Sequence, residues 1–483
     1  MRVLSVASEC APLIKTGGLA DVVGALPSAL SAEGVETTVM LPAYRRLAER
    51  LEGARAHALA DAPGRLLSGR AEGLSVILHD APELFDRDGG PYAGPDGRDW
   101  RDNAQRFGAF ARAAAEAAAG AAGISFDVAH AHDWQAGPVP ALLRLRGGPA
   151  SVMTIHNIAF QGLFGPEALE AAGLPRRLMR FDGVEQHGRV GYLKAGLQFA
   201  DRVTTVSPRY ARELTTAEFG YGLEALLRWR GGDFSGVLNG IDEAVWNPAS
   251  DPALPAAFSA RDLSGKAACR AALRERFGLR ATDGPIFIVV SRMTRQKGLD
   301  LLLDALPTLL AEGGALALLG SGDVDLEAGF AAAARDHPGR VSCVVGYDEP
   351  LAHLMQGGGD AILVPSRFEP CGLTQLIGLR YGAIPVVART GGLGDTVIDA
   401  NPAALAVGAA TGVVHAPGRG DALAEAIRRT CALHRDDAAW AGLRRAAMRH
   451  PVGWGPSAAR YAALYREAAE ASAARRGTDR EAG

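Results

Sequence analysis

Basic side chains and glycines follow two of the apolar runs in this chain. Arg292 and Lys297 lie five residues apart, shortly after the run Ile286–Val290. The segment Lys15-Thr16-Gly17-Gly18 follows the first run, Val3–Ala7. Guanidinium and ammonium groups bind phosphate oxygens, and amides at a glycine-rich helix start favour anions. Both segments therefore predict anion binding, with a tight turn and solvated basic side chains as the alternative.

One carboxylate opens a third segment of the same kind. Glu369 begins Glu369-Pro370-Cys371-Gly372-Leu373-Thr374, which follows the run Ala361–Val364 and precedes a predicted helix. The Gly-Leu-Thr amides could cap a phosphate. The alternative for Glu369 is a first-turn acid that complements the helix dipole.

Histidines end two further runs. His156 and Asn157 follow Ser151–Ile155, and His130, His132 and Asp133 lie at the end of Val128–Ala131. Residues i and i+2 of a strand share a face, so a metal site is conceivable, but no further ligands at zinc-like spacing support it. We expect no metal, and a lone histidine is more often a structural hydrogen-bonding group.

The elements that must position these residues alternate as in parallel α/β architecture. Predicted strands of the first half are Val3–Ala7, Thr37–Leu41, Ser75–His79, Val128–Ala131, Ser151–Ile155 and Arg202–Val206, with helices over Asn103–Ala122 and Tyr192–Ala200. Those of the second half are Ile286–Val290, Ala315–Leu319, Val341–Val345, Ala361–Val364, Ile384–Ala388 and Gly412–Val414. Each half predicts a doubly wound, Rossmann-like sheet, which binds ligands at the carboxyl ends of its strands.

The chain of 483 residues is too long for one ordinary core. We predict an N-terminal domain over 1–240, a linker over 241–263 that is rich in Pro, Asn, Asp and Ser, and a C-terminal domain over 264–455. Residues 456–483 are predicted to pack back on the first domain, with a helix over about Pro456–Glu467 and a frayed end after about Glu470.

Composition excludes several classes of function. Hydrophobic residues make up 48% and charged residues 22%, which is typical of a globular protein. The net charge of −3 suggests neither nucleic-acid nor membrane partners, and we find no leader and no transmembrane run. Five scattered cysteines without a CxxC pair fit reduced thiols, so we expect a cytoplasmic protein.

Six blocks in order resemble bacterial glycogen synthases and plant starch synthases, over residues 1 to about 465. The blocks are the segment from Lys15 to Pro27, His130 to Gly137, Thr154 to Asn157, Leu238 to Asp242, Ser291 to Asp300, and Pro365 to Thr374. The resemblance implies the GT-B fold, in which two Rossmann-like domains face a central cleft. It also implies glucose transfer from ADP-glucose to an α-1,4-glucan such as glycogen, with retention of configuration and no cofactor beyond this co-substrate.

The same resemblance implies a role for each matching residue. Glu369 matches the essential carboxylate beside the donor glucose, His156 a sugar contact, and Arg292 with Lys297 the diphosphate-binding pair. The remaining positions implied in substrate binding are Lys15, Gly17, Gly18, Asp21, Asp133, Asn157, Asn239, Tyr347, Cys371, Gly372, Leu373, Thr374 and, on the acceptor side, Tyr92. Tyr347 matches a tyrosine that stacks on adenine, with an exposed turn residue as the alternative.

Two features weigh against other readings of the chain. The wider group of retaining enzymes often carries a second glutamate eight residues after the first, where this chain has Ile377. A two-carboxylate double displacement therefore finds no partner at that spacing. The turn Gly320-Ser321-Gly322 lacks the third glycine of a dinucleotide fingerprint. The alternatives kept are a sucrose- or trehalose-phosphate-type transferase and a non-catalytic glucan- or nucleotide-binding regulator.

Overall fold

The computed structural model describes residues 1–481, with side chains through residue 476. The chain forms two compact units. Unit 1 contains residues 1–239 and the C-terminal segment from Trp454, and unit 2 contains residues 240–453. The segment 241–263, expected to be a linker, lies inside unit 2, where Ile241 and Phe258 are buried in the core. Residues 482 and 483 of the predicted 456–483 segment lie outside the described part.

The described strands alternate with helices along the chain. The strands are β1 (Arg2–Val6), β2 (Glu36–Pro42), β3 (Glu52–Ala58), β4 (Arg65–Ala71), β5 (Leu74–Asp80), β6 (Val128–His132), β7 (Ala150–Ile155), β8 (Leu163–Phe164), β9 (Glu185–Gln186), β10 (Arg189–Gly191), β11 (Arg202–Thr205), β12 (Phe234–Gly236), β13 (Ile286–Val290), β14 (Ala315–Gly320), β15 (Val341–Val345), β16 (Ala361–Val364), β17 (Ile384–Ala388) and β18 (Val413–His415).

The helices cover the faces of the two main sheets. They are α1 (Gly18–Ala32), α2 (Pro82–Phe85), α3 (Asn103–Glu116), α4 (Asp133–Ala136), α5 (Pro138–Arg146), α6 (Ala168–Ala171), α7 (Tyr192–Phe199), α8 (Pro208–Leu214), α9 (Glu224–Arg230), α10 (Ser264–Arg276), α11 (Leu299–Ala311), α12 (Val324–Asp336), α13 (Glu349–Gly358), α14 (Thr374–Tyr381), α15 (Gly391–Thr396), α16 (Pro402–Ala406), α17 (Gly420–His434), α18 (Asp437–Arg449) and α19 (Gly455–Glu481).

Unit 1 is built on a nine-stranded sheet in the order β12-β11-β7-β6-β1-β2-β5-β4-β3. All pairs are parallel except β5·β4 and β4·β3, which form an antiparallel edge. Strands β6 and β7 are buried at every residue, because helices cover both faces of a parallel sheet. A second, three-stranded antiparallel sheet has the order β8-β10-β9.

Unit 2 is a six-stranded, wholly parallel sheet in the order β15-β14-β13-β16-β17-β18. Its strands are short apolar runs that pack under helices such as α11, α14 and α17. Both sheets are doubly wound, and each of the twelve predicted strands overlaps an observed one. Among residues 1–481, no helix combines the length and apolarity needed to cross a bilayer.

The last helix, α19, packs on the sheet of unit 1 through one apolar face. Ala458, Tyr461, Ala462, Tyr465 and Ala468 recur at helical spacing and are at most 1% exposed. The prediction of a frayed end after Glu470 is wrong for the residues that follow directly. There Ser472 is fully buried, Arg475 forms an ion pair with Asp201, and Arg476 donates to the carbonyl of Gly148 at 2.9 Å.

Two other differences separate prediction and structure. The predicted helix Asn103–Ala122 ends as an α-helix at Glu116 and continues as a π-turn over Ala117–Ala121. Strands β3, β4, β8, β9, β10 and β12 were not predicted. Strand β3 is the exposed edge of the sheet, so its sequence Glu-Gly-Ala-Arg-Ala-His-Ala has no apolar run to signal a strand.

His130 joins three elements in the core of unit 1. Its Nε2 contacts Thr154 Oγ1 of β7 at 2.6 Å, and its Nδ1 contacts the Tyr465 hydroxyl of α19 at 2.9 Å. Burial lowers the pKa of His130 from 6.5 to about 3, so the folded protein holds this imidazole neutral. The unfolded chain binds a proton near pH 6.5 that the folded chain does not bind, and acid therefore favours unfolding.

We predict that this histidine makes unit 1 sensitive to acid. Stability from a depressed pKa is full above the unfolded value of 6.5 and is lost toward the folded value of about 3. Between pH 7 and pH 5 the loss is about 2 kcal/mol. Urea unfolding will show a pH dependence smaller by about that amount in His130→Gln, because the titrating group is gone.

The exposed His187 of the same unit provides the control, because His187→Gln should keep the pH dependence of the parent chain. Asp133 changes stability with pH in the opposite direction, because burial raises its pKa to about 7. This contribution is the same in the parent chain and in His130→Gln. An unchanged dependence in His130→Gln would contradict the assignment.

Candidate functional site

Both main sheets reverse their strand order between two neighbouring strands, and most of the predicted site residues follow strands beside these reversals. In unit 1 the reversal lies between β1 and β6, and in unit 2 between β13 and β16. Open α/β sheets bind ligands outside the carboxyl ends of the strands at such a point. Most of the predicted residues thus form two clusters, one in each unit, whereas Asn239 and Tyr347 follow the edge strands β12 and β15.

Lys15 lies on the exposed turn that enters α1, and its Nζ pairs with Asp21 Oδ1 at 2.7 Å. Both side chains are about one-third exposed, at 33% and 35%, so both remain accessible to a ligand. Gly17 has an extended backbone, and a Cβ added there would meet nothing within 4 Å. Gly24 of α1 lies so close to the carbonyl of Ala11 that a Cβ would approach it to 2.2 Å.

The amide cradle predicted at this turn is already partly filled by the protein itself. Glu9, which follows β1 and is 3% exposed, accepts hydrogen bonds from the amides of Thr16 and Gly17 through Oε2. Its Oε1 accepts a hydrogen bond from the Tyr92 hydroxyl. Those two amides are thus not available to a bound phosphate. Sequence reasoning missed Glu9, although a lone acid after the first strand was a signal.

Asp133 follows β6 in the left-handed region, with φ of +54°. Its Oδ1 accepts from the amides of His156 at 2.7 Å and Asn157 at 3.4 Å. Burial raises the pKa of Asp133 to about 7, although these two hydrogen bonds act against the rise. Positive φ in a non-glycine residue is costly and is found where the surroundings enforce it, often at functional sites.

His132 and His156 form a short imidazole chain beside Asp133. His132 Nδ1 lies 2.9 Å from His156 Nε2, and His132 Nε2 lies 3.1 Å from Ser5 Oγ. Burial lowers the pKa of His156 to about 3 and that of His132 well below 6.5. His156 is therefore neutral at physiological pH and acts as a polar hydrogen-bonding group, not as a cation.

In unit 2, the carboxylate of Glu369 contacts the ammonium of Lys297. Lys297 Nζ lies 2.5 Å from Glu369 Oε2, and Ser366 Oγ donates to the same oxygen at 2.9 Å. Glu369 is 6% exposed. A carboxylate this buried costs free energy unless it is paired, and Lys297 provides the pairing charge.

Arg292 lies on the turn after β13 with an exposed side chain. Its guanidinium has no ion-pair partner among the residues that the structure describes. The neighbouring Gly-Ser-Gly turn fits tightly against this segment, because a Cβ at Gly320 would approach the carbonyl of Ser291 to 1.9 Å. The glycines of that turn are thus explained by backbone packing alone.

A glycine pair missed by sequence reasoning holds the Glu369 segment in place. The amide of Gly392 donates to the carbonyls of Glu369 and Pro370, each at 3.2 Å. Gly391 has φ of +44°, and a Cβ there would approach the carbonyl of Glu369 to 1.8 Å. Two adjacent glycines that begin three residues after the end of β17 were a readable signal. On the other side, Gln375 Nε2 donates to the carbonyls of Cys371 and Gly372 at 3.0 Å.

The remaining predicted residues are placed as follows. Leu373 and Thr374 are partly exposed where α14 begins, and Cys371 is buried beside them. Tyr347 is 73% exposed on the turn after β15, where its hydroxyl contacts Glu349. Asn239 is 8% exposed at the end of unit 1, and the Asn157 side chain accepts from the amide of Ala159. No metal-binding group of three or more His, Cys, Asp or Glu exists within the described residues.

Comparison with protein families divides the chain in two. Residues 2–229 match the starch synthase catalytic domain, and residues 273–441 match the glycosyl transferases group 1. The chain is 58% identical over 473 residues to a glycogen synthase from Roseobacter denitrificans, covering 96% of this chain and 99% of that one. It is 53% identical to a glycogen synthase from Novosphingobium aromaticivorans, covering 96% and 98%.

Solved structures show the same relation. The catalytic domain of starch synthase IV from Arabidopsis thaliana, bound to ADP and acarbose, superposes with a TM-score of 0.88 at 34% identity. The match covers 97% of this chain and 99% of that one. A sucrose-phosphate synthase from Thermosynechococcus elongatus, at 20% identity and a TM-score of 0.59, shares the fold alone.

These matches confirm the predicted fold class, two Rossmann-like units of the GT-B type, and the predicted resemblance. They also decide against a non-catalytic regulator and against a sucrose-phosphate type, because the near-full-length relatives at 53–58% identity are glycogen synthases. The chain belongs to the glycogen and starch synthase family of glucosyltransferases.

Proposed function

We propose that this enzyme transfers glucose from ADP-glucose to the non-reducing end of an α-1,4-glucan, with retention at the anomeric carbon. The observation that carries the proposal is the contact between Lys297 and Glu369 at the reversal of the unit 2 sheet. Arg292, five residues before Lys297, has an exposed side chain. A starch synthase of the same family has been solved with ADP. Free thiols at all five cysteines support work in a reducing cytoplasm.

Departure of ADP concentrates negative charge on the leaving diphosphate. Groups aimed at charge that develops in the transition state lower the barrier most. Arg292 and Lys297 are proposed for this task, because arginine binds phosphate oxygens in two places and lysine acts as a point charge. Lys297 begins the reaction paired with Glu369, so binding of the diphosphate competes for its ammonium group.

Glu369 is proposed to act on the donor glucose, not on the phosphates. The position eight residues later is Ile377, which is 8% exposed within the α14 core. A second carboxylate for double displacement is thus replaced there by a packing residue. We propose departure and attack on the same face of the sugar through an oxocarbenium-like pair, with the diphosphate accepting the acceptor's proton.

The unit 1 residues are proposed to bind substrate. Lys15 with Asp21 offers an exposed cation at the start of α1, and neutral His156 offers one imidazole nitrogen, because His132 occupies the other. Asp133 holds the backbone of His156 and Asn157 in place. We also propose that substrate contacts Asn239, Tyr347 and the Cys371–Thr374 segment.

We predict that ADP-glucose is the preferred donor and that no divalent metal is required. Arg292 and Lys297 are proposed to supply the counter-charge that a metal ion would otherwise supply. Transfer of labelled glucose to glycogen, measured with ADP-glucose and UDP-glucose side by side, should give the larger kcat/KM with ADP-glucose. Activity should survive EDTA. Equal use of UDP-glucose, or loss on chelation restored by Mg²⁺, would contradict these expectations.

We also predict that ADP affinity separates Arg292 from Glu369. Arg292→Ala should lower kcat by about 10²–10³, the cost of one transition-state donor, and should weaken ADP binding. Glu369→Gln should also lose most of kcat, but its ADP affinity should stay level or rise, because Lys297 is released from its ion pair. Calorimetric titration of ADP into both variants measures the difference.

Arg295 is the matched control for Arg292. It is an exposed arginine on the same turn, and its guanidinium lies 3.6 Å from Asp300. Arg295→Ala should leave both kcat and ADP affinity near those of the parent enzyme. If Glu369→Gln weakened ADP as much as Arg292→Ala while remaining folded, the proposed division of roles would be wrong.

A further inference from the structure

We propose that Glu9 is a positioning residue for the Lys15–Gly18 turn, and that Tyr92 acts through Glu9 and not by contact with the acceptor sugar. The inference deepens the proposed function, because it concerns how Lys15 is presented to the nucleotide-sugar donor. It differs from the acceptor-side role that the resemblance implied for Tyr92.

Both carboxylate oxygens of Glu9 are occupied by the protein. Oε2 accepts from the amides of Thr16 and Gly17, the latter at 3.0 Å, and Oε1 accepts from the Tyr92 hydroxyl. Glu9 itself is 3% exposed, so water does not compete for these bonds. Hydrogen bonds to an ionised acceptor are roughly twice as strong as neutral ones. Glu9 therefore fixes the backbone on the C-terminal side of Lys15.

Besides Glu9, the turn is restrained by the Lys15–Asp21 ion pair and by the Gly17 carbonyl, which accepts from the amide of Ala20 at 3.3 Å. Residues 15–18 are exposed, and Gly17 has open space around it. Two adjacent glycines lose more conformational freedom on ordering than any other pair. Without Glu9, this segment would sample many conformations, and Lys15 would be presented to the donor in only some of them.

Tyr92 is fixed in the same network. Its hydroxyl lies 2.8 Å from Ser8 Oγ and donates to Glu9. Ser8 can therefore donate to Tyr92 while Tyr92 donates to Glu9. Burial and the charge of Glu9 raise the pKa of Tyr92 well above 10, so the phenol keeps its proton. With its donor committed to a buried carboxylate, the Tyr92 hydroxyl is engaged with protein.

Three variants test the inference, and the chain supplies a matched control. Tyr92→Phe removes the hydroxyl that Glu9 accepts, and Glu9→Gln removes the charge while keeping the size. Tyr44→Phe is the control, because Tyr44 is also buried, at 8% exposure, and its hydroxyl has no hydrogen-bond partner among the described residues. The double variant of Glu9 and Tyr92 measures their coupling.

The first readout is amide hydrogen exchange in the full-length protein without ligand, followed in peptides spanning residues 11–20. Exchange at Thr16 and Gly17 should be faster in Tyr92→Phe and in Glu9→Gln, and unchanged in Tyr44→Phe. Because this measurement needs no substrate, it tests the positioning role even if the proposed donor were wrong. Unchanged exchange in Tyr92→Phe and Glu9→Gln would overturn the inference.

The second readout is binding and kinetics. Tyr92→Phe should weaken ADP binding by about tenfold, the factor that 1.4 kcal/mol of interaction represents, with no change in KM for glycogen. The double variant should bind ADP no more weakly than the worse single variant.

A raised KM for glycogen in Tyr92→Phe, with normal ADP affinity, would place Tyr92 at the sugar. Tighter ADP binding in Glu9→Gln would show that charge repulsion, not positioning, is what Glu9 contributes. Either result would overturn the inference, whereas failure of the parent enzyme to bind ADP would instead contradict the proposed function.

Discussion

The reversal of strand order between neighbouring parallel strands is the constraint on which both candidate clusters depend. At that point the connections leave the sheet in opposite directions, and the strand ends between them are left uncovered. Glu9 and Asp133 follow β1 and β6 on either side of one reversal, and Arg292 and Glu369 follow β13 and β16 on either side of the other. The proposed site residues are concentrated there because these are places where polar side chains can leave the core without breaking a sheet.

Each carboxylate at these points is buried, and each is balanced by a different device. Backbone amides and a phenol balance Glu9, an ammonium group balances Glu369, and two amides hold Asp133. A buried charge without a partner costs several kcal/mol, so the local fold around Glu369 depends on its pairing with Lys297. The same devices order the backbone that carries Lys15, His156 and Cys371. The hydrogen bonds that stabilise these segments therefore also hold the residues that we propose to bind substrate.

Much of the fold was predictable because the strands of a parallel sheet that is covered on both faces are continuous apolar runs in the sequence. All twelve predicted strands lie on observed ones, and the motif residues were correctly placed at strand ends. Two exceptions have different causes. Strand β3 is an exposed edge without an apolar run, and the end of α19 is held by ion pairs and hydrogen bonds to residues far away in sequence, such as Asp201.

By itself, the sequence determined the family, the two Rossmann-like sheets and the residue types at each strand end, because periodicity and local motifs are properties of neighbouring residues. Only the tertiary structure decided which of those residues contact one another. Glu9 occupies the amides that were expected to cradle an anion, and Lys297 pairs with Glu369 across 72 positions of the chain. Such contacts depend on the three-dimensional paths of the strands and loops. A local sequence pattern contains no information on the distance between two loops.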